Sequence, residues 1–144
     1  MNKEEVNSLL KKLNYRGQKR IALINADNRT VKDFEGGNGG ITVDTAIDPR
    51  FPYDFTVVFV KEVKEIEPLA SRAMHNLTAD GVLWFVFPKK NSSRIETDIN
   101  PDHGWEYLTE RGFDRVRKIS FSAEWSAFRF RNVRFIRSAR NRNS

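Results

Sequence analysis

Polar side chains follow directly on an apolar segment between residues 83 and 100. The run LWFVF ends at Pro88, and lysines, hydroxyls and a carboxylate come after it. Lysines can neutralise an anionic ligand, hydroxyls can donate hydrogen bonds to it, and a carboxylate can accept one from a ribose or an amine. These residue types predict a site for a small anionic or nucleotide-like ligand. Its members in this loop are Lys89, Lys90, Ser92, Ser93, Thr97 and Asp98.

The same loop also has an explanation that needs no ligand. A loop that leaves a buried strand is polar because its backbone groups need water. Thr97, Asp98 or Asn100 can instead cap the helix that follows. Trp125, at the start of the last predicted strand, has two explanations as well, since an aromatic side chain there stacks on a ligand or fills the core. We include Trp125 in the predicted ligand site and leave both explanations open.

The net charge of +6 lies entirely at the end of the chain. Residues 125–144 contain six arginines and no acidic residue, and the rest of the chain is neutral. Arginines without neighbouring acids can hold a phosphate backbone, and the phenylalanines among them resemble those of single-strand binding surfaces. Association with nucleic acid is therefore an alternative function, and a solvated basic face is the structural explanation. The arginines concerned are Arg129, Arg131, Arg134, Arg137, Arg140 and Arg142.

Several kinds of catalytic site have no support in the sequence. The chain has no cysteine, which removes disulfides, thiolate ligands and cysteine nucleophiles. Its two histidines, His75 and His103, lack a zinc-binding spacing, and Ser126 lies outside any G-x-S-x-G motif. The run GGNGG at 36–40 precedes a strand, whereas a phosphate loop opens a helix, so it predicts a plain turn. We predict no catalytic residue and no metal site.

Predicted helices and strands alternate along the chain. Apolar residues at helical spacing predict helices over 3–14 and 62–79, with Gly81 as a left-handed cap of the second. A third helix is predicted over 101–112, beginning at Pro101. Continuous apolar runs are typical of strands covered on both faces. Such strands are predicted around 20–24, 41–47, 54–60 and 82–87, and a final hairpin around 114–122 and 125–132.

This order predicts a single α/β domain of three layers, Rossmann-like, whose mostly parallel sheet ends in a C-terminal antiparallel hairpin. The domain is expected to span residues 1–137, followed by a disordered basic tail over 138–144. No apolar run approaches the ~20 residues that span a bilayer, and the N-terminus lacks the apolar segment of a signal peptide. A cytoplasmic location without membrane contact is expected, and the oligomeric state is left open.

The segments GVLWFVFPKKNSS and TDIN, followed by GFDRV and EWSAFRFR, resemble a family of small bacterial proteins of unknown function. That family has a Rossmann-type fold like that of S-adenosylmethionine-dependent methyltransferases. The resemblance covers about residues 16–131 and implies this fold. In active methyltransferases a glycine-rich turn follows the first strand and an acidic residue near the end of the second strand holds the cofactor ribose. Here the first strand runs into NADNRT, without glycine, and Asp44 is placed in mid-strand.

These departures lead to a functional prediction. We expect a non-catalytic small-molecule binding protein on a methyltransferase-like scaffold, and not an enzyme. No cofactor is predicted, and S-adenosylmethionine is possible but disfavoured. The alternatives are a nucleic-acid-associated protein and an atypical S-adenosylmethionine-dependent methyltransferase.

Overall fold

Six strands form one sheet in the computed structural model, which describes residues 1–91 and 94–136. Their spatial order is β2-β1-β3-β4-β6-β5. The first four strands are parallel, and the last two form a hairpin that joins β4 through an antiparallel β6. The strands are β1 (Arg20–Ile24), β2 (Thr42–Asp44), β3 (Tyr53–Phe59), β4 (Leu77–Pro88), β5 (Phe113–Ser120) and β6 (Trp125–Asn132). The predicted fold class is confirmed.

Helices cover both faces of this sheet. One core cluster joins the first two helices to one face, and a second joins the other two helices to the opposite face. The central strands are apolar on both sides because both sides are covered. Among the described residues, the helices that flank the sheet are α1 (Lys3–Lys12), α2 (Asn28–Glu35), α3 (Val63–His75) and α4 (Glu106–Glu110).

Helix α1 begins with the capping box that its sequence predicts. The amide of Glu5 donates to Oδ1 of Asn2 over 2.8 Å, and the amide of Asn2 donates to Oε1 of Glu5 over 3.3 Å. These two bonds satisfy donors that a helix N-terminus leaves free. Beyond the other end of the helix, the buried indole Nε1 of Trp84 donates to the carbonyl oxygen of Leu13 over 2.8 Å. The end of α1 is thereby fixed to the middle of β4.

Helix α2 was not predicted from the sequence. It follows β1 after three residues and is capped by Asp27, whose side chain accepts a hydrogen bond from the amide of Thr30. Only Val31 and Phe34 are apolar among its eight residues. Two apolar positions give too weak a periodicity to predict a helix, and the Asp27 cap was the signal that could have found it.

The boundary between α3 and β4 lies several residues earlier than predicted. The helix ends at His75 rather than 79, because Asn76 leaves the helix to donate from Nδ2 to the carbonyls of Asp48 and Phe51. Strand β4 begins at Leu77, and Gly81 lies within it rather than capping the helix. Tyr53 of β3 pairs with Leu77 of β4, and Phe55, two residues later, pairs with Val82. Residues 78–81 therefore bulge from β4.

Other boundaries differ less. Strand β2 ends at Asp44, which is therefore its last residue and not a mid-strand one. Helix α4 is shorter than predicted and begins at Glu106 rather than Pro101. The run GGNGG forms a short turn of 3-10 helix over Gly37–Gly39. The predicted disordered tail over 138–144 lies outside the described residues.

Strand β5 forms one edge of the sheet and is largely exposed. Its pairing with β6 is irregular between Arg115 and Arg117, where Val116 is 41% exposed. Among residues 1–91 and 94–136, no helix has both the length and the apolar character needed to cross a membrane.

Candidate functional site

The direction of the strand order reverses between β1 and β3. The chain passes from β1 through α2 to β2 on one side, and β3 then pairs with the other side of β1. In open α/β sheets, ligands bind in the crevice outside the carboxyl ends of the strands at this switch point. The residues that follow Ile24 and Phe59 therefore form the candidate crevice.

Asn25 makes the turn out of β1 at this crevice. Its φ of 63° lies in the left-handed region, which glycine adopts freely and asparagine tolerates better than most residues. Its side-chain Nδ2 donates to the carbonyl oxygen of Phe59 over 2.9 Å and to Oε2 of Glu65 over 3.2 Å. The chain thus makes a tight turn before α2 without a glycine, and the Asn25 side chain ties the loops after β1 and β3 together.

Carboxylates cap both helices that open at the crevice. Oδ1 of Asp27 accepts from the amide of Thr30 over 2.7 Å, and this backbone hydrogen bond is the main reason that the pKa of Asp27 is lowered. Oδ1 of Asp98 accepts from the amide of Val63 over 2.7 Å at the start of α3. Both side chains belong to exposed residues. An anionic ligand would meet helix ends that already hold an anion, whereas a cationic group would meet two carboxylates.

Glu65, in the first turn of α3, adds a third carboxylate to the crevice after Asp27 and Asp98. Its Oε1 accepts from the amides of Lys61 and Glu62 over 2.8 and 2.9 Å. The spacing of Glu62 and Glu65 before an apolar stripe resembles a capping box. This spacing was the signal in the sequence that could have identified Glu65, which is not part of the predicted ligand site.

Asp44 does not point a free carboxylate at the crevice. Nη1 of Arg20 lies 2.8 Å from both of its oxygens, and the hydroxyl of Tyr53 donates to Oδ2 over 2.5 Å. Burial, and then the bond to Asp44, raise the pKa of Tyr53. Asp44 also pairs with Ala22, two residues before β1 ends. Its position and its bonds to Arg20 and Tyr53 disfavour a contact with a ribose.

Two of the predicted ligand residues line a cavity of 530 Å³ beyond the carboxyl end of β4. Lys89 and Lys90 contribute to its wall together with Lys118 of the neighbouring hairpin. Lys118 is not among the ligand residues predicted from the sequence. The Nζ of Lys89 donates to Oγ of Ser120 over 2.7 Å. Three lysines and several hydroxyl and amide groups make this cavity suited to an anionic molecule.

Thr97, Asp98 and Trp125 are not among the residues that line this cavity. Thr97 donates from Oγ1 to the carbonyl oxygen of Lys61 over 2.6 Å, so Thr97 and Asp98 both tie their loop to the start of α3. Trp125 is half-buried and packs edge-on against Phe59, with 6.2 Å between ring centroids. Ser92 and Ser93 lie outside the described residues.

The three predicted nucleic-acid arginines that the structure describes have different surroundings. Arg131 donates from Nε and Nη2 to the two oxygens of Asp80, each over 2.7 Å. Arg129 is half-buried, and Arg134 lies in a short helical segment after β6. Arg137, Arg140 and Arg142 lie outside the described residues.

The Arg131–Asp80 pair gives a pH-dependent contribution to stability. The hydrogen bond from Arg131 lowers the pKa of Asp80 below its ordinary value of 3.8. Because the pKa of Asp80 is lower in the folded than in the unfolded chain, its ionised carboxylate stabilises the fold at pH values above the unfolded-state pKa. This contribution is lost as the pH falls through the folded-state pKa. We expect D80N to remove up to about 1 kcal/mol at neutral pH and to flatten the loss of stability in acid. Urea unfolding between pH 2 and 7 measures this. A D80N curve parallel to the wild-type curve, or the same flattening in the exposed-residue control D114N, would contradict it.

Solved structures with this arrangement of strands and helices include several methyltransferases. The magnesium protoporphyrin IX methyltransferase of Synechocystis with bound SAH matches with a TM-score of 0.56 and 12% identity, over 90% of this chain and 80% of that one. The N-methyltransferase NodS of Bradyrhizobium japonicum in complex with S-adenosylhomocysteine matches with 0.53 and 16%, over 90% and 86%. The fold is that of S-adenosylmethionine-dependent methyltransferases.

A third match is a longer protein. The phosphoethanolamine N-methyltransferase 2 of Haemonchus contortus in complex with S-adenosylmethionine has a TM-score of 0.57 and 11% identity, over 91% of this chain and 38% of that one. No protein-family model and no curated protein sequence matches the chain. At these identities the structural likeness establishes the fold.

The comparison overturns three predictions made from the sequence. The expectation of a non-catalytic binding protein is wrong, as are the expectation that the chain is not an enzyme and the expectation of no cofactor, with S-adenosylmethionine disfavoured. The solved structures that share the fold are methyltransferases, and several hold S-adenosylmethionine or its demethylated product. The error came from equating a missing glycine with a missing turn, since Asn25 makes that turn in the left-handed conformation.

Proposed function

We propose that this chain is an S-adenosylmethionine-dependent methyltransferase with an atypical cofactor crevice. The observation that carries the proposal is the left-handed turn at Asn25, placed between β1 and a helix N-terminus at the switch point of the sheet. That turn supplies the backbone conformation for which a glycine-rich loop is otherwise used. The fold shared with methyltransferases agrees with it.

The residues of the crevice fit one part of the cofactor and not another. S-adenosylmethionine, when bound, supplies an electrophilic methyl group on a positively charged sulfur. Asp27, Glu65 and Asp98 provide the negative charge that attracts such a cation. Asp44 is occupied by Arg20 and Tyr53, so the usual acidic contact to the ribose is missing. This is what makes the crevice atypical.

The cavity beyond β4 is the place proposed for the methyl acceptor. It lies at the same edge of the sheet as the crevice, because β3 and β4 are adjacent and parallel. Lys89, Lys90 and Lys118 favour an acceptor that carries a phosphate or carboxylate group. The anionic ligand expected from the sequence is thereby assigned to the acceptor and not to the cofactor. The cytoplasmic location and the bacterial origin remain predictions.

Binding of the cofactor is tested most sharply by changing charge without changing shape. Asparagine is as good a helix cap as aspartate, so D27N and D98N keep the caps of α2 and α3 and remove one negative charge each. We expect isothermal titration calorimetry to show S-adenosylmethionine binding to the wild type and binding about tenfold weaker in the double variant. The matched control D102N changes an exposed aspartate elsewhere in the same loop region and should bind as the wild type does.

Two results would contradict the proposal. One is the absence of heat of binding for S-adenosylmethionine and S-adenosylhomocysteine with the wild-type chain. The other is equal loss of affinity in D102N and in the double variant, which would remove the crevice from the explanation. Formation of S-adenosylhomocysteine with a set of phosphorylated and carboxylated acceptors then distinguishes an enzyme from a binding protein.

A further inference from the structure

Arg129 carries a buried nitrogen that has no partner. Its Nε is shielded from solvent and makes no hydrogen bond within the part of the chain that the structure describes. The strand register places Arg129 between Trp84 of β4 and Arg117 of β5. Arg131, two residues further along the same face, donates from Nε and Nη2 to the two oxygens of Asp80. The two neighbouring arginines are therefore in opposite situations.

Arg129 opens into a cavity of 490 Å³ at the amino ends of β3 and β4, away from the methyltransferase crevice. Arg16 lines the same cavity, and its Nε donates to Oδ1 of Asn14 over 3.3 Å. The two acidic residues of the wall are engaged: Asp80 by Arg131, and Asp54 by the hydroxyl of Thr78 at 2.6 Å. Neither acidic group makes a hydrogen bond or an ion pair with Arg129 or Arg16.

The electrostatics of Arg129 agree with this geometry. Burial is the main cause that lowers its pKa, and the cations of Arg131, Arg117 and Arg16 act in the same direction, while Asp80 opposes them. A guanidinium group nevertheless keeps its charge in proteins. A half-buried charge without a partner destabilises the fold, and an oxyanion beside the Arg129 guanidinium would reduce that cost.

We propose that this cavity binds a phosphate group, held by Arg129 and Arg16 with Arg117 alongside. A planar guanidinium offers paired N–H donors that match two oxygens of a phosphate. This cavity lies at the amino ends of β3 and β4, whereas the proposed cofactor crevice lies at the carboxyl ends of the strands. The phosphate site is therefore independent of the proposed methyl transfer. The phosphate belongs either to a free phosphate ester or to a nucleic-acid backbone, for which the exposed Arg117 on β5 extends the positive surface beside Arg129.

The experiment uses the full chain and measures affinity for inorganic phosphate, adenosine monophosphate and a single-stranded oligonucleotide. Calorimetry serves for the first two and fluorescence anisotropy over a range of salt for the third. We expect R129Q and R117Q each to weaken binding about tenfold or more, since each removes a charged donor. The control R72Q removes an exposed arginine from α3, on the other face of the sheet, and should leave affinity unchanged.

Thermal unfolding without ligand accompanies each variant. R129Q should be no less stable than the wild type, because it removes a half-buried charge whose Nε has no partner among the described residues. R117Q should be neutral, because Arg117 is exposed. Micromolar binding of phosphate or the mononucleotide indicates a phosphate ester as ligand. Binding of the oligonucleotide alone, with a salt slope that R129Q reduces, indicates nucleic acid. The proposal is overturned if no probe binds, or if R129Q and R117Q bind as tightly as R72Q does.

Discussion

Replacing Trp84 with alanine is expected to lower the free energy of unfolding by about 3–5 kcal/mol. Trp84 is fully buried in the middle of β4 and packs in the core cluster that holds α1 against the sheet. Its removal leaves a cavity where the neighbours are fixed strands, and it also leaves the Leu13 carbonyl without its indole donor. Urea denaturation measures the loss. The exposed-residue control V116A should change stability by less than about 0.5 kcal/mol.

A second variant separates packing from hydrogen bonding at Trp84. W84F keeps an aromatic ring in the core and loses the Nε1–H group, so the buried Leu13 carbonyl is left unsatisfied. An unsatisfied buried acceptor costs about 1–3 kcal/mol, and W84F should therefore fall between the wild type and W84A. If W84A and V116A unfold at the same urea concentration, Trp84 does not fix α1 to the sheet as described.

Replacing Asn25 with valine is expected to abolish binding of S-adenosylmethionine and to destabilise the fold by about 2 kcal/mol or more. A β-branched residue strongly disfavours the left-handed conformation, which costs an ordinary residue about 1–2 kcal/mol. The bonds from Nδ2 to Phe59 and Glu65 are lost as well. The turn between β1 and α2 would then relax away from the geometry that places the crevice.

The variant N25G is the matched control for the turn. Glycine adopts the left-handed conformation without strain, so N25G keeps the backbone path and loses only the side-chain bonds. We expect N25G to bind S-adenosylmethionine with an affinity within about tenfold of the wild type, since one neutral and one charge-assisted hydrogen bond are removed. Equal binding by N25V and N25G, measured by calorimetry, would show that the turn is not what forms the crevice.

The sheet could be predicted from the sequence because its central strands carry continuous apolar runs. Residues such as Val57, Val58 and Phe85 have no alternation, and only strands covered on both faces are built that way. The hairpin at the end was equally visible, since the alternation of Phe128, Arg129 and Phe130 has the period of a strand. These patterns record burial, and burial follows directly from the fold.

Helix α2 and the β4 bulge left weaker traces in the sequence. Helix α2 buries one large side chain, Phe34, and depends on the cap at Asp27. The end of α3 depends on Asn76, whose bonds reach carbonyls 25 and 28 residues earlier in the chain. Contacts between residues so far apart give no local periodicity, so the boundary could not be placed by pattern.

The sequence indicated at which edge of the sheet the polar loop lies, but not which part of that edge is negatively charged and which is positively charged. The polar loop after Pro88 lies at the carboxyl edge, where Lys89 and Lys90 line a cavity, and its role in binding a ligand stays a prediction. The carboxylate of Asp98, which was grouped with these lysines, caps α3 on the far side of the loop. The division of one loop between an acidic crevice and a basic cavity depends on its three-dimensional path.

The two outer strands of the sheet differ in how they resist growth of the sheet by a further strand. At one edge, β2 offers only three residues for pairing. At the other, β5 is long, but its irregular pairing at Arg115 and Arg117 and the charge of Lys118 disfavour a neighbour. Bulges, short strands and cations at edges are the means by which sheets avoid joining into aggregates. The arginines and the lysine of β5 thus protect the chain from aggregation whether or not they meet a ligand.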